Sequence, residues 1–224
     1  MVLLNIKLRA HSAQTILCRL GLWAALVNAW VLIATPAWAE QVNIIAIGDS
    51  LTAGYGLAQS ESFPAQLQAA LQAVGEEVKI INSGVSGDTS AGGRARLEWA
   101  LSLQPDAVIL ELGANDGLRG LDPRETEANL SQMIADIQKQ ALPVLLTGMR
   151  APPNLGQQYG TEFNNLFRRL AKKHSLLFYP FFLEGVAAVP ALNQTDGIHP
   201  NAAGIGEIVK RILPFVRELI GQVR

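Results

Sequence analysis

Ser50, Asp196 and His199 have the types and the chain order of a nucleophilic hydrolase. A hydroxyl is a poor nucleophile at neutral pH and needs an adjacent base, which itself needs an orienting group. Ser50 stands in Gly48-Asp49-Ser50-Leu51, directly after the apolar run Val42–Ile47. A β-branched run that stops at glycine, an acid and a hydroxyl predicts a buried strand carrying the serine to the edge where open α/β sheets place their ligands. His199 follows Asp196 by three residues in Asp196-Gly197-Ile198-His199. On a tight loop that carboxylate can turn back to accept the ring N–H, and Gly197 permits the turn. The rival histidine, His174, closes a Lys172-Lys173-His174 run and reads as a solvated partner of helix-terminal carbonyls.

Acyl transfer also requires donors for the oxygen that becomes negative in the tetrahedral intermediate. Two Gly- and Asn-bearing segments are candidates. The glycines of Asn82–Thr89 let a backbone N–H approach a ligand closely, and Gly113–Gly117 offers the side-chain amide of Asn115. Each segment alone fits simple turn chemistry; their company with Ser50 favours the functional reading.

Five short apolar runs, Val42–Ile47, Val78–Ile81, Ala107–Leu112, Val144–Thr147 and Leu176–Tyr179, read as buried strands. Helices are expected over Pro64–Val74, Ser90–Leu103, Asp122–Gln140, Thr161–His174 and Asn201–Ile220, with Pro214 a kink or a boundary. The third carries the start signals of a helix: Asp122 as cap, Pro123 in the first turn and Glu125 at the third position. Strands alternating with helices imply an α/β fold with a parallel sheet covered on both faces. The segments after the strands, Gly48–Gly56, Asn82–Thr89, Gly113–Gly120 and Arg150–Tyr159, then gather on one rim.

Together these blocks resemble the GDSL (SGNH) hydrolases: Gly48-Asp49-Ser50-Leu51, Gly87, Gly113-Ala114-Asn115-Asp116 and Asp196-Gly197-Ile198-His199 occur in the family's order. The likeness spans residues 42–215 and is greatest to the bacterial periplasmic thioesterase, lysophospholipase and arylesterase branch. The resemblance implies a flavodoxin-like three-layer α/β/α sandwich with a five-stranded parallel sheet and no cofactor. It implies Ser50 as nucleophile, His199 as base and Asp196 as its orienting acid. It also implies an oxyanion hole from the Ser50 N–H, the Gly87 N–H and the Asn115 amide. The acyl pocket would be bordered by Ala151 and Pro152 of Arg150–Gly156, where the thioesterase-like members carry a larger apolar residue in place of Ala151. The implied substrates are small-molecule esters and thioesters: short to medium acyl esters, aryl esters, acyl thioesters and lysophospholipids. A monomer that touches lipid only transiently is expected.

Composition narrows the setting. Lys7, Arg9 and Arg19 precede the apolar stretch Leu20–Ile33, and Pro36 and Ala37-Trp38-Ala39 follow. This pattern predicts a secretory signal peptide over residues 1–39 and a single mature domain over 40–224, periplasmic or secreted. A retained membrane anchor is the alternative, but the apolar core is short of the roughly 20 residues a spanning helix needs. Removing the segment takes three cations and no anion, leaving 15 basic against 19 acidic residues. Such a balance argues against nucleic acid as a partner. Cys18, the sole cysteine, lies in that segment, so a mature chain has no thiol for a nucleophile, disulfide or metal. No His-Glu-x-x-His pattern points to a metal, and Thr52 stands where the α/β-hydrolase elbow requires glycine. Two alternatives remain. One is a carbohydrate O-deacetylase with the same site, disfavoured because Trp99 alone among the tryptophans lies outside the signal segment. The other is a non-catalytic flavodoxin-like binding module.

Overall fold

The computed structural model describes residues 40–224. The expected signal segment lies outside the described residues. Five strands, β1 (Val42–Gly48), β2 (Val78–Gly84), β3 (Ala107–Glu111), β4 (Val144–Thr147) and β5 (Leu177–Tyr179), form one sheet in the order β2-β1-β3-β4-β5. Every pairing is parallel. This is the flavodoxin-like order, which reverses direction at β1 and β3 and opens a crevice beyond their C-terminal ends. The apolar runs are continuous rather than alternating because β1, β3 and β4 are buried on both faces.

Among the described residues eight α-helices alternate with these strands: α1 (Ser50–Ala53), α2 (Phe63–Ala73), α3 (Ser90–Ala95), α4 (Leu97–Leu101), α5 (Ala114–Leu118), α6 (Pro123–Gln138), α7 (Gln157–His174) and α8 (Ala202–Val223). α2 packs against α8, while α3 and α7 pack against α6. The longer helices bury one stripe each; α7 places Phe163, Leu166, Phe167 and Leu170 inside and leaves its charged residues to solvent.

Local chemistry sets the ends. Asp122 accepts the Arg124 N–H and Pro123 opens α6, as its sequence predicts. The helix expected over Ser90–Leu103 is instead two, broken at Arg96, whose side chain is drawn towards β1 and β2. α7 begins earlier than expected, so Gln157–Tyr159 are helical rather than loop. Pro214 neither stops nor bounds α8. Pro214 and Lys210 are exposed, so the carbonyl that loses its partner faces water, while Ile212, Val216 and Leu219 keep the helix docked. β2 runs on to Gly84 because Ser83 and Gly84 keep pairing with Ile47 and Gly48.

Candidate active site

The strand β1 delivers Ser50 to the rim. A side chain at Gly48 would collide with Thr52 and Glu111, so the turn that launches α1 closes only around glycine. Asp49, fully buried, caps α1 by accepting the Leu51 N–H at 3.0 Å. Ser50 is the first residue of α1 and half-buried, its hydroxyl free of that cap.

The segment before α8 brings the imidazole to it. Asp196 Oδ1 accepts the backbone N–H groups of Ile198 and His199, each at 3.0 Å, and Gly197 takes φ +74°. This winding folds the carboxylate back onto its own loop, and Oδ2 lies 2.6 Å from His199 Nδ1. His199 Nε2 lies 3.0 Å from Ser50 Oγ. With the ring proton on Nδ1 and held by Asp196, Nε2 presents its lone pair to the hydroxyl. The His199 backbone and ring hold the Asp196 carboxyl down at about 2, so it is ionised throughout the physiological range. The Tyr55 ring lies against the imidazole with centroids 4.7 Å apart.

Gln194 joins the two halves, its amide donating to the carbonyls of Tyr55 (2.7 Å) and Pro200 (3.0 Å). Nothing in a lone glutamine signals such a role, and sequence reasoning missed it. His174 stands apart from the site. Its Nε2 is 2.8 Å from the Ser131 hydroxyl on α6, rather than at helix-terminal carbonyls, and burial with Lys173 nearby lowers its pKa.

The two expected oxyanion segments border the serine. Gly87 sits at φ +84° in the turn closed by the Asp88 N–H and the Val85 carbonyl, and Arg119 donates to the Gly87 carbonyl at 2.9 Å. Asn115 rides on α5, which the buried Asp116 fixes by accepting from Ser90 and Thr126. The Asn115 amide donates to the Asp88 carbonyl at 2.9 Å and to Asp49 Oδ2 at 3.2 Å. Both hydrogens are therefore engaged without a ligand, and an oxyanion would have to share the longer bond, to Asp49.

Beneath the turn lies a pair of buried carboxyls that the sequence did not flag. Glu111 is fully buried, and its Oε2 accepts the Thr52 hydroxyl at 2.7 Å and the Asp49 N–H at 3.3 Å. Its Oε1 is buried without a partner. Burial, reinforced by the Asp49 charge, pushes the Glu111 pKa well above the usual carboxylate range. Burial likewise raises Asp49 to about 6.

A cavity of about 460 Å³ opens beside Ser50, His199 and Asn115. Its walls are largely apolar, with Leu118, Met149, Phe181, Leu183 and Ile198, and Ala151 and Pro152 also line it. Arg150 supplies its one cation among the lining residues, stacked on the Phe181 ring at 4.3 Å and paired with Glu184 at 3.3 Å. Trp99 is not among the lining residues. Among the described residues, no group of three or more His, Cys, Asp or Glu side chains is arranged to hold a metal ion.

A doubly wound sheet with this rim has the form of a serine hydrolase, and the family follows: the GDSL-like Lipase/Acylhydrolase family model matches residues 46–205, and the chain belongs to that family. Among its relatives, Esterase TesA of Pseudomonas aeruginosa is 38% identical over 193 residues, covering 86% of this chain and 95% of the relative. Thioesterase 1/protease 1/lysophospholipase L1 of Escherichia coli K12 is 41% identical over 160 residues, or 71% and 76% of the two chains. The crystal structure of AlinE4, an SGNH-hydrolase family esterase, matches with a TM-score of 0.69 at 48% identity, over 80% of this chain and 96% of that one.

Proposed function

We propose that this chain is a serine esterase that hydrolyses carboxylic esters and thioesters through an acyl-serine intermediate. The observation that carries the reading is the relay from Ser50 Oγ to His199 Nε2 (3.0 Å) and from His199 Nδ1 to Asp196 (2.6 Å). Ser50 Oγ attacks the acyl carbonyl as His199 Nε2 takes its proton, and the permanently ionised Asp196 steadies the imidazolium. The carbonyl oxygen becomes an oxyanion, met by the Ser50 and Gly87 N–H groups and the Asn115 amide. Collapse expels the alcohol or thiol with the proton from His199. A water then gives its proton to His199 and attacks the acyl carbonyl; the bond to Ser50 Oγ breaks, that oxygen takes the proton back from His199, and the acid leaves.

The largely apolar cavity suits an acyl chain. The names borne by relatives support esters, thioesters and lysophospholipids as substrates. The charge and apolar pattern of residues 1–39 supports export, with cleavage before Glu40 leaving a single periplasmic or secreted domain, here read as a monomer. No helix of the described residues is long and apolar enough to cross a membrane. An exported enzyme meets esters rather than intracellular acyl thioesters, which ranks ester hydrolysis first. A panel of p-nitrophenyl esters of increasing length, run beside a lysophospholipid and an acetylated sugar, tests the reading. Turnover of the esters with little on the sugar is expected. Preference for the acetylated sugar would replace the reading with a deacetylase.

A further inference from the structure

Arg96 sits at the break between α3 and α4, only partly exposed, and spends its guanidinium on three residues in two segments of the catalytic rim. Nε meets Asp88 Oδ2 at 2.6 Å. Nη1 donates to the Ser83 carbonyl at 2.8 Å and to its hydroxyl at 2.9 Å, at the end of β2. Nη2 donates to the Gly48 carbonyl at 2.9 Å, two residues before Ser50. Gly48 and the Gly87 turn are already adjacent, since the Gly48 carbonyl also accepts the Val85 N–H at 3.0 Å.

We infer that Arg96 is the positioning residue of the oxyanion hole, a single planar cation that fixes the Ser50, Gly87 and Asn115 donors relative to one another. The inference rests on the proposed donor set and explains how it is held. Through Gly48, Arg96 holds the turn that presents the Ser50 N–H. Through the Asp88 side chain it holds the residue that follows Gly87. The main-chain carbonyl of that same Asp88 accepts the Asn115 amide at 2.9 Å, so the third donor is tied to the same point. The rigid fork of a guanidinium can serve three acceptors in divergent directions at once; an ammonium on a flexible stem cannot. Arg96 stands outside the cavity lining, so it acts through these neighbours and not on substrate.

Arg96→Lys separates this role from a merely structural one, because it keeps the charge beside Asp88 while losing the fork. Displacement of oxyanion donors by a fraction of a bond length is expected to lower kcat on a p-nitrophenyl ester by roughly 10–100-fold. KM should stay within about threefold, since the acyl cavity is untouched. Affinity for a boronic acid that forms a tetrahedral adduct on Ser50 should fall in step with kcat. The midpoint of the pH–kcat/KM profile should not move, because the His199–Asp196 loop has no bond to Arg96. Asp88→Asn, which keeps the shape and removes the ion pair, should give the same pattern and stands in if Arg96→Lys does not fold. Asn115→Ala, assayed in parallel, reports on the donor set itself. A large loss in Asn115→Ala with kcat and boronate affinity unchanged in folded Arg96→Lys or Asp88→Asn would overturn the role of Arg96 alone. No loss in Asn115→Ala would overturn the donor set and the inference with it.

Discussion

Glu111→Gln isolates the unusual electrostatics beneath the nucleophile. In the folded protein the Glu111 carboxyl is wholly enclosed, with Oε2 bonded to Thr52 and Asp49 and Oε1 facing no partner. Burial and the neighbouring Asp49 hold its pKa well above 4.5, whereas the unfolded chain releases the proton at the ordinary value. Between those two values the folded state binds one more proton than the unfolded state. Stability contributed by this group is therefore intact below the unfolded value and declines as pH rises, by about 1.4 kcal/mol per pH unit. Glutamine has the same shape, offers an oxygen to the same two donors and does not titrate. The stability difference between variant and wild type should thus move in favour of the variant as pH rises above the ordinary carboxylate value. Asp49 interacts with Glu111, so the difference reports on the buried carboxyl pair rather than on Glu111 alone. Urea unfolding of both proteins at pH 5, 6 and 7 measures it, and kcat should stay within about threefold because both bonds survive. A difference independent of pH would show that Glu111 ionises at its ordinary value, and the argument from burial would fail.

Asn115→Ala should lower kcat by about 10²–10³ while leaving the fold intact, a loss read in steady-state ester hydrolysis. Asp196→Asn should cost about 10²–10⁴ in kcat, since it removes both the tautomer control and the charge opposite the imidazolium; a loss under fivefold would assign Asp196 to loop structure. Asp196 is held at about 2, so wild-type activity measured from pH 4 to 8 should carry no transition from this carboxyl. Ala151→Leu should narrow the cavity and reduce kcat/KM for long acyl esters about tenfold relative to acetate esters, as read in competition between chain lengths.

The parts of the site that depend on side-chain type and local turn chemistry were legible in the sequence. Asp196 reaches His199 because three residues and Gly197 suffice to close the loop, and both facts can be read from four letters. The strand runs were legible because a sheet buried on both faces needs uninterrupted apolar residues. What escaped depends on contacts between distant segments. α1 and α5 are single short turns of helix whose residues carry no helical period, stabilised by Asp49 and by the Asp116 bonds to Ser90 and Thr126. The break at Arg96 has no proline or glycine to announce it; it lies where a guanidinium finds acceptors 8, 13 and 48 residues away. Glu111 lies inside the run read as a buried strand, but its contact with Thr52 follows only from the closing of α1 over it.

The account stands on Ser50 as the atom that receives the acyl group. Incubation with a fluorophosphonate, in which the attacking oxygen displaces fluoride from phosphorus, followed by peptide mass spectrometry, tests this directly. One adduct per chain is predicted, on the peptide containing Ser50 and in step with loss of esterase activity, and none should form on Ser50→Ala, whose turnover should fall by roughly 10⁴–10⁶. Labelling at another residue, or a Ser50→Ala protein that keeps most of its activity, would contradict it.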